Sequence, residues 1–71
     1  MSKKTLRKVF FHTIRGYYSA LLYGENNEVK IIANDMLFAT TLYAYMNNLI
    51  SATTKSNLYK LFWEVHDNES L

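Results

Sequence analysis

The sequence predicts a small, mainly α-helical domain, with an α+β arrangement as the alternative. Three observations predict this class. A chain of 71 residues is long enough for a single domain, which we place over residues 1–71. Proline is absent, which fits one compact unit. Apolar residues recur at three- and four-residue spacing in three segments, as they do on one face of a helix.

The helical pattern is clearest between residues 35 and 51. Asn34 or Asp35 offers a side-chain oxygen that can cap the start of this helix. One side of the helical wheel is apolar and consists of Phe38, Ala39, Leu42, Tyr43, Tyr45, Met46, Leu49 and Ile50. The opposite side is small and polar and consists of Thr40, Thr41, Ala44, Asn47, Asn48 and Ser51. We therefore expect the apolar side to face the core, with the other segments packed on it.

A first helix is predicted from about residue 3 to residue 15, with Ser2 as its N-cap. The apolar spacing continues beyond Gly16, although this glycine costs about 1 kcal/mol relative to Ala inside a helix. Two interpretations of the following residues stay open. Either the helix continues to residue 22, or residues 17–23 and 28–33 pair as a β-hairpin across the polar turn between them.

A last helix is predicted from about residue 56 to residue 66, after a polar break at residues 52–55. Thr54 or Ser56 would cap it. Its expected core face consists of Leu58, Leu61, Phe62 and Val65. The polar tail over residues 67–71 is expected to fray, because it has little apolar surface with which to anchor itself.

The residue types that catalysis needs are absent or scattered. Cysteine is missing, which excludes disulfides, thiolate nucleophiles and cysteine-bound zinc. His12 and His66 are far apart in the sequence, and neither has a second ligand at helical spacing. No serine lies in a nucleophile-elbow pattern, and the two glycines form no phosphate-binding loop. We therefore expect no enzymatic activity, no catalytic residue, no metal site and no cofactor.

The aromatic content and the charge distribution favour a binding protein instead. Eleven residues are Phe, Tyr or Trp, more than a small core can hide, and leftover rings are typical of interfaces. Five of the eight Lys and Arg residues precede Gly16, where no acid occurs. We predict a partner-binding surface that consists of Lys8, Phe11, Arg15, Tyr18, Tyr59 and Trp63.

This surface predicts a small, non-catalytic regulator or inhibitor that acts by binding another protein. The spare aromatic surface also favours a homodimer. Small regulators of this kind are often encoded by phages or mobile elements. The sequence has neither the pattern of a signal peptide nor an apolar run of transmembrane length, so we expect a cytoplasmic protein. The first helix could also lie on an anionic membrane surface, an option that nothing in the sequence requires and that we do not favour.

Residues 54–62, Thr-Lys-Ser-Asn-Leu-Tyr-Lys-Leu-Phe, support an alternative function. The stretch resembles the recognition-helix segment of tetracycline-repressor-type regulators, which often has a small residue, Lys and Ser, then Leu-Tyr and a Phe three residues on. The resemblance implies a small dimeric helix-turn-helix protein that places the helix over residues 56–66 in the major groove of DNA. The residues that would then face DNA are Lys55, Ser56, Asn57, Tyr59 and Lys60. Nucleic acid therefore stays open as a partner.

Overall fold

The computed structural model describes the backbone of residues 2–69 and the side chains of residues 2–65. This part of the chain forms three helices, which are α1 (Lys3–Tyr23), α2 (Asn27–Met46) and α3 (Ala52–Glu69). Residues 2–69 contain no strand. The prediction of a small, mainly α-helical fold is therefore confirmed, although several predicted boundaries are wrong.

The predicted β-hairpin is wrong, because both of its segments are helical. Residues 17–23 form the last turns of α1, and residues 28–33 lie in the first turns of α2. Gly16 does not end α1, because the helix buries Ile14 and Leu21 on either side of it. Burial of two such side chains contributes about 3–6 kcal/mol, more than the roughly 1 kcal/mol that the glycine costs. The longer of the two interpretations of the first helix is therefore the observed one.

Polar N-caps set the starts of α1 and α2. The Oγ of Ser2 accepts a hydrogen bond from the N–H of Thr5 at 3.2 Å, which confirms the predicted cap of α1. The Oδ1 of Asn26 accepts from the N–H of Val29 at 2.9 Å, so α2 begins at Asn27. The predicted start at residues 34–35 is wrong, because those residues lie inside α2.

A Schellman motif ends α2 at Met46, before the predicted end at residue 51. The N–H of Leu49 donates to the carbonyl oxygen of Ala44 at 2.9 Å, and the N–H of Asn48 donates to that of Tyr45 at 3.1 Å. Asn48 has a φ of 59°, a left-handed conformation that asparagine tolerates better than most residues. Leu49 is buried, which gives the motif its usual apolar contact. The chain therefore leaves α2 in a geometry that places Leu49 in the core.

A third polar cap begins α3 at Ala52. The Oγ of Ser51 accepts from the N–H of Thr54 at 3.1 Å, so residues 52–55 form the first turn of α3. The predicted start at residue 56, with a polar break before it, is wrong. The helix continues to Glu69 rather than ending at residue 66. The fraying predicted for residues 67–71 stays a prediction, because residues 67–69 continue the helical backbone and residues 70–71 lie outside the described part of the chain.

The core lies where the three helices meet and is centred on a single ring. Phe62 of α3 is fully buried against α2, where Leu37 and Thr41 are fully buried as well. The other buried apolar residues are Phe10, Ile14, Leu21, Ala33, Ala44 and Leu49. Both α1 and α3 pack against α2 and have little direct contact with each other. α2 is therefore the central helix, as the sequence predicted.

The face of α2 that enters the core is largely opposite to the predicted face, although Phe38 and Ile50 do pack against the core and Leu49 is buried. The residues of α2 that are buried are Ala33, Leu37, Thr41 and Ala44. By contrast, Tyr43 and Met46, which we expected in the core, are 68% and 70% exposed. Three of the four buried residues, Ala33, Thr41 and Ala44, have small side chains, which favour close packing of helices, and the ring of Phe62 is fully buried beside α2. The bulky side of α2 consequently faces outwards.

Candidate functional site

Basic and aromatic side chains follow one face of α1. Lys4, Lys8, Phe11, Arg15 and Tyr18 are spaced alternately four and three residues apart, so they form a continuous line along the helix. The three cations are exposed, and both rings are half-buried. We call these five residues the basic–aromatic stripe. It contains four of the six residues that the sequence predicted for partner binding.

Two open depressions lie between the side chains along this stripe. A shallow depression of about 620 Å³ is lined by Lys4, Arg7, Lys8, Phe11, His12 and Arg15. A neighbouring depression of about 440 Å³ is lined by Arg7, Phe11, Asn48, Leu49, Ile50, Ser51 and Thr54. Arg7 and Phe11 line both, so the two depressions adjoin and the groove runs from α1 to the start of α3.

Arg7 is a member of this surface that the sequence prediction missed. Its Nε donates a hydrogen bond to the carbonyl oxygen of Leu49 at 3.0 Å, which ties α1 to the loop between α2 and α3. α1 contains no acidic residue, and among the described residues its cations have no ion-pair partner. Their charge is therefore not neutralised within this part of the protein. The sequence could have indicated this role, because Arg7 lies next to Lys8 in the segment that contains no acidic residue.

The two rings of the stripe are held by the core beneath them. Phe11 makes an edge contact with Phe10, with ring centroids 5.0 Å apart. Tyr18 lies against the buried ring of Phe62, with centroids 6.4 Å apart. A ring that is already fixed loses little conformational entropy when a partner covers its exposed edge. The stripe therefore offers apolar surface that is organised before binding.

The last two predicted partner-binding residues lie in a separate aromatic cluster around Phe38 of α2. The ring centroids of Tyr59 and Trp63 lie 4.9 Å and 5.6 Å from that of Phe38, which is also 5.4 Å from Phe62. Tyr59 is half-buried, whereas Trp63 remains 54% exposed. Phe62 contacts both this cluster and Tyr18, so the predicted surface divides into two parts on either side of a core ring.

The residues predicted to face DNA are only partly presented to solvent. The Nζ of Lys55 lies 4.5 Å from the ring centre of Tyr45 and 5.6 Å from that of Tyr59, so both rings engage it by cation–π contact. Ser56, Asn57 and Lys60 are exposed on the outer face of α3. Three of the five predicted residues thus lie together on an open surface.

A second exposed surface lies on α2, and the sequence analysis had assigned three of its five residues, Ala39, Tyr43 and Met46, to the core. Ile32, Met36, Ala39, Tyr43 and Met46 are spaced alternately four and three residues apart, and all are exposed. We call these five residues the α2 outer stripe. The regular spacing of these residues in the sequence indicates a face that packs against another element. It does not indicate which element that is.

Other kinds of site find less support in the described part of the chain. No group of three or more His, Asp or Glu side chains there is arranged to hold a metal ion; His66 lies outside the described side chains. None of the three helices combines the length and the apolar character needed to cross a bilayer. Comparison of the chain with protein-family models, with curated proteins and with solved structures finds no match.

Proposed function

We propose that this protein is a small, non-catalytic regulator or inhibitor that acts in the cytoplasm by binding an acidic surface of another protein. The observation that carries the proposal is the basic–aromatic stripe. It combines exposed cations and half-buried rings on a helix that contains no acid. The side chains gathered there suit binding rather than bond-making chemistry.

The two components of the stripe would serve different purposes in such a complex. Lys4, Lys8 and Arg15 would attract an acidic partner and orient it during encounter. Phe11 and Tyr18 would supply the desolvated contacts that slow dissociation, as aromatic residues commonly do at interfaces. The exposed Trp63 lies beyond Phe62 and would contact only a partner large enough to reach both sides of that ring.

Charge reversal tests the proposal with a matched control. The protein, immobilised by a tag, is used to capture partners from cells that naturally produce it. Arg15→Glu and Lys60→Glu change the net charge equally, but only Arg15 belongs to the stripe. Both side chains are exposed, so both variants should keep the native far-UV circular dichroism spectrum.

We expect Arg15→Glu to weaken binding of the captured partner about tenfold or more, and Lys60→Glu to leave it nearly unchanged. Equal loss in both variants would mean that the capture reflects net charge alone. Unchanged binding in Arg15→Glu would mean that the stripe is not the binding surface.

A small dimeric helix-turn-helix protein that binds DNA is the second candidate, because Ser56, Asn57 and Lys60 are exposed together on α3. α1 would then supply cations to the phosphate backbone. Against this, Lys55 is held over two rings, and Glu64 lies one turn after Lys60 on an exposed part of α3. Binding to a generic duplex, titrated with salt, separates the two functions.

DNA binding through α3 predicts an affinity that falls steeply with salt. Lys60→Ala should then weaken binding to the duplex and reduce its salt dependence. No duplex binding at low salt would reject this candidate and leave the protein-binding proposal in place.

A further inference from the structure

The α2 outer stripe leaves a large apolar surface uncovered on the central helix. Ile32, Tyr43 and Met46 are 62%, 68% and 70% exposed, and Met36 is 38% exposed. Ile31 and Leu42 flank the stripe and are 62% and 43% exposed. A soluble monomer seldom leaves bulky apolar side chains contiguous along a whole helix, so this face is suited to an interface.

We propose that the α2 outer stripe packs against the same stripe of a second copy of this chain. In the proposed dimer the two α2 helices run antiparallel, and the twofold axis passes beside Ala39. This interface shares no residue with the basic–aromatic stripe, and the proposal does not depend on the function proposed above.

The spacing of the stripe indicates that its occupant is another helix. Alternation of four and three residues averages 3.5, the repeat that keeps one helix in contact with another along their length. From Ile32 to Met46 the stripe is about 21 Å long, at about 1.5 Å per residue. A small ligand or a single inserted side chain would cover only part of that length.

The order of side chains along the stripe indicates that the second helix is a copy of the first. Large residues lie at both ends, and the small Ala39 lies at the centre. Antiparallel pairing about Ala39 brings Ile32 near Met46 and Met36 near Tyr43. The two Ala39 residues then meet at the point of closest approach, where small side chains let helices come together. The surface is thus complementary to itself, as a twofold interface requires.

The area also matches what a stable dimer needs. The exposed fractions of the stripe and its two flanking residues correspond to on the order of 700 Å² of accessible surface available per chain, and a standard interface buries roughly 800 Å² of each partner. Among the described residues, none of the three helices covers this surface. The thinnest dimension of the molecule is 13 Å. Because helices pack about 8–10 Å apart, this dimension holds two layers of helices and no third layer over the outer face of α2.

The charges on α2 favour the antiparallel direction and disfavour an acidic partner. Glu28 and Asp35 lie on the outer side of α2, while Lys30 is half-buried beside the α1–α2 turn. Parallel pairing would place each acid opposite its own copy. Antiparallel pairing instead places Asp35 near Leu42 and Tyr43 of the second copy, so the like charges are kept apart. The outer stripe also offers no cation with which an acidic ligand could pair.

The mass of the protein in solution tests whether the dimer exists. We expect size-exclusion chromatography with light scattering at micromolar to millimolar concentration to give twice the 8.3 kDa of one chain. Tyr43→Lys should return the mass to that of one chain with helicity retained, because the side chain is 68% exposed. Leu61→Lys, at an exposed position on α3, should leave the dimer intact. A one-chain mass of the unaltered protein throughout this range would overturn the proposal.

Engineered thiols test the geometry, because the natural chain has no cysteine to interfere. Ala39→Cys should form a covalent dimer with a short bis-maleimide. Ile32→Cys and Met46→Cys should cross-link poorly when each is alone and efficiently when the two are mixed. Ser56→Cys, exposed on α3, should remain uncross-linked. Self-cross-linking of Ile32→Cys would indicate parallel pairing, and equal cross-linking at Ser56 would indicate non-specific association; either result would overturn the proposed arrangement.

Discussion

Replacement of Thr41 by Val removes a buried hydroxyl group that lacks a hydrogen-bond partner, and we expect it to stabilise the protein. Thr41 is completely buried, with 0% of its surface exposed to solvent. Its Oγ1 has no hydrogen-bond partner among the described residues. A threonine in a helix can donate to the carbonyl oxygen four residues earlier, but this hydroxyl makes no such bond. On folding, the hydroxyl therefore loses its hydrogen bonds to water and gains none within the described part of the protein.

The expected gain follows from the desolvation of that hydroxyl. Burial of a hydroxyl without a partner costs about 1–3 kcal/mol by mutational measurements. Val has nearly the shape of Thr and a similar helix propensity, so the substitution leaves neither a cavity nor a weaker helix. We therefore expect the free energy of unfolding to rise by about 1–2 kcal/mol. In a domain of this size, each 1 kcal/mol corresponds to a rise in Tm of about 4–8 °C.

Thermal and urea unfolding, followed by far-UV circular dichroism at one fixed protein concentration, measures this change. Thr40→Val is the matched control, because it makes the same chemical change in the same helix at a half-exposed position. The control should change the free energy of unfolding by less than about 0.5 kcal/mol. If Thr41→Val lowered the stability by 1 kcal/mol or more while Thr40→Val did not, the hydroxyl would have a partner, and the reasoning would be refuted.

Three further predictions concern the same unfolding measurements. Gly16→Ala should raise the free energy of unfolding by about 0.5–1 kcal/mol, because a Cβ there meets open space. Gly24→Ala should lower the free energy of unfolding, because its Cβ would lie 2.5 Å from the carbonyl oxygen of Ala20. Asn48→Ala should cost about 1 kcal/mol more than Asn48→Gly, because Asn48 has a φ of 59°. Phe62→Ala should lower the free energy of unfolding by about 3–5 kcal/mol, because the ring is fully buried. Trp63→Ala should lower it by less, because Trp63 is 54% exposed.

Each of these comparisons has an outcome that contradicts it. Equal effects at the two glycines would mean that the α1–α2 turn can shift to admit a methyl group. An Asn48→Gly variant no more stable than Asn48→Ala would mean that α2 does not end in the left-handed conformation. A Trp63→Ala variant as unstable as Phe62→Ala would place Trp63 in the core and remove it from the candidate binding surface.

The local features of the chain were largely predictable from the sequence. Helical spacing, the absence of proline and the cap at Ser2 depend on residues close together in the sequence, so they need no knowledge of the fold. The accumulation of cations on α1 is likewise a property of the sequence, and four predicted residues do lie on one stripe. The hairpin prediction failed because it weighed the local cost of Gly16 without the burial of Leu21 against other helices.

The candidate sites were less predictable, because they depend on contacts between distant segments. Lys55 was predicted to face DNA, but it lies over Tyr45, which belongs to a different helix. Tyr59 and Trp63 were predicted to bind the same partner as the residues of α1, and the structure places both around Phe38 on the other side of Phe62. No spacing within α3 indicates which rings of α2 it will meet.

The orientation of α2 shows most clearly what the sequence determined and what the tertiary structure decided. The sequence determined that α2 has two unlike faces, one with Thr41 and Ala44 and one with Tyr43 and Met46. It could not determine which face enters the core, because hydrophobicity rewards burial by any neighbour, including a second copy. Packing between the helices determined which face is buried. Small side chains such as Thr41 and Ala44 favour close packing in the core, whereas the bulky Tyr43 and Met46 lie on the surface.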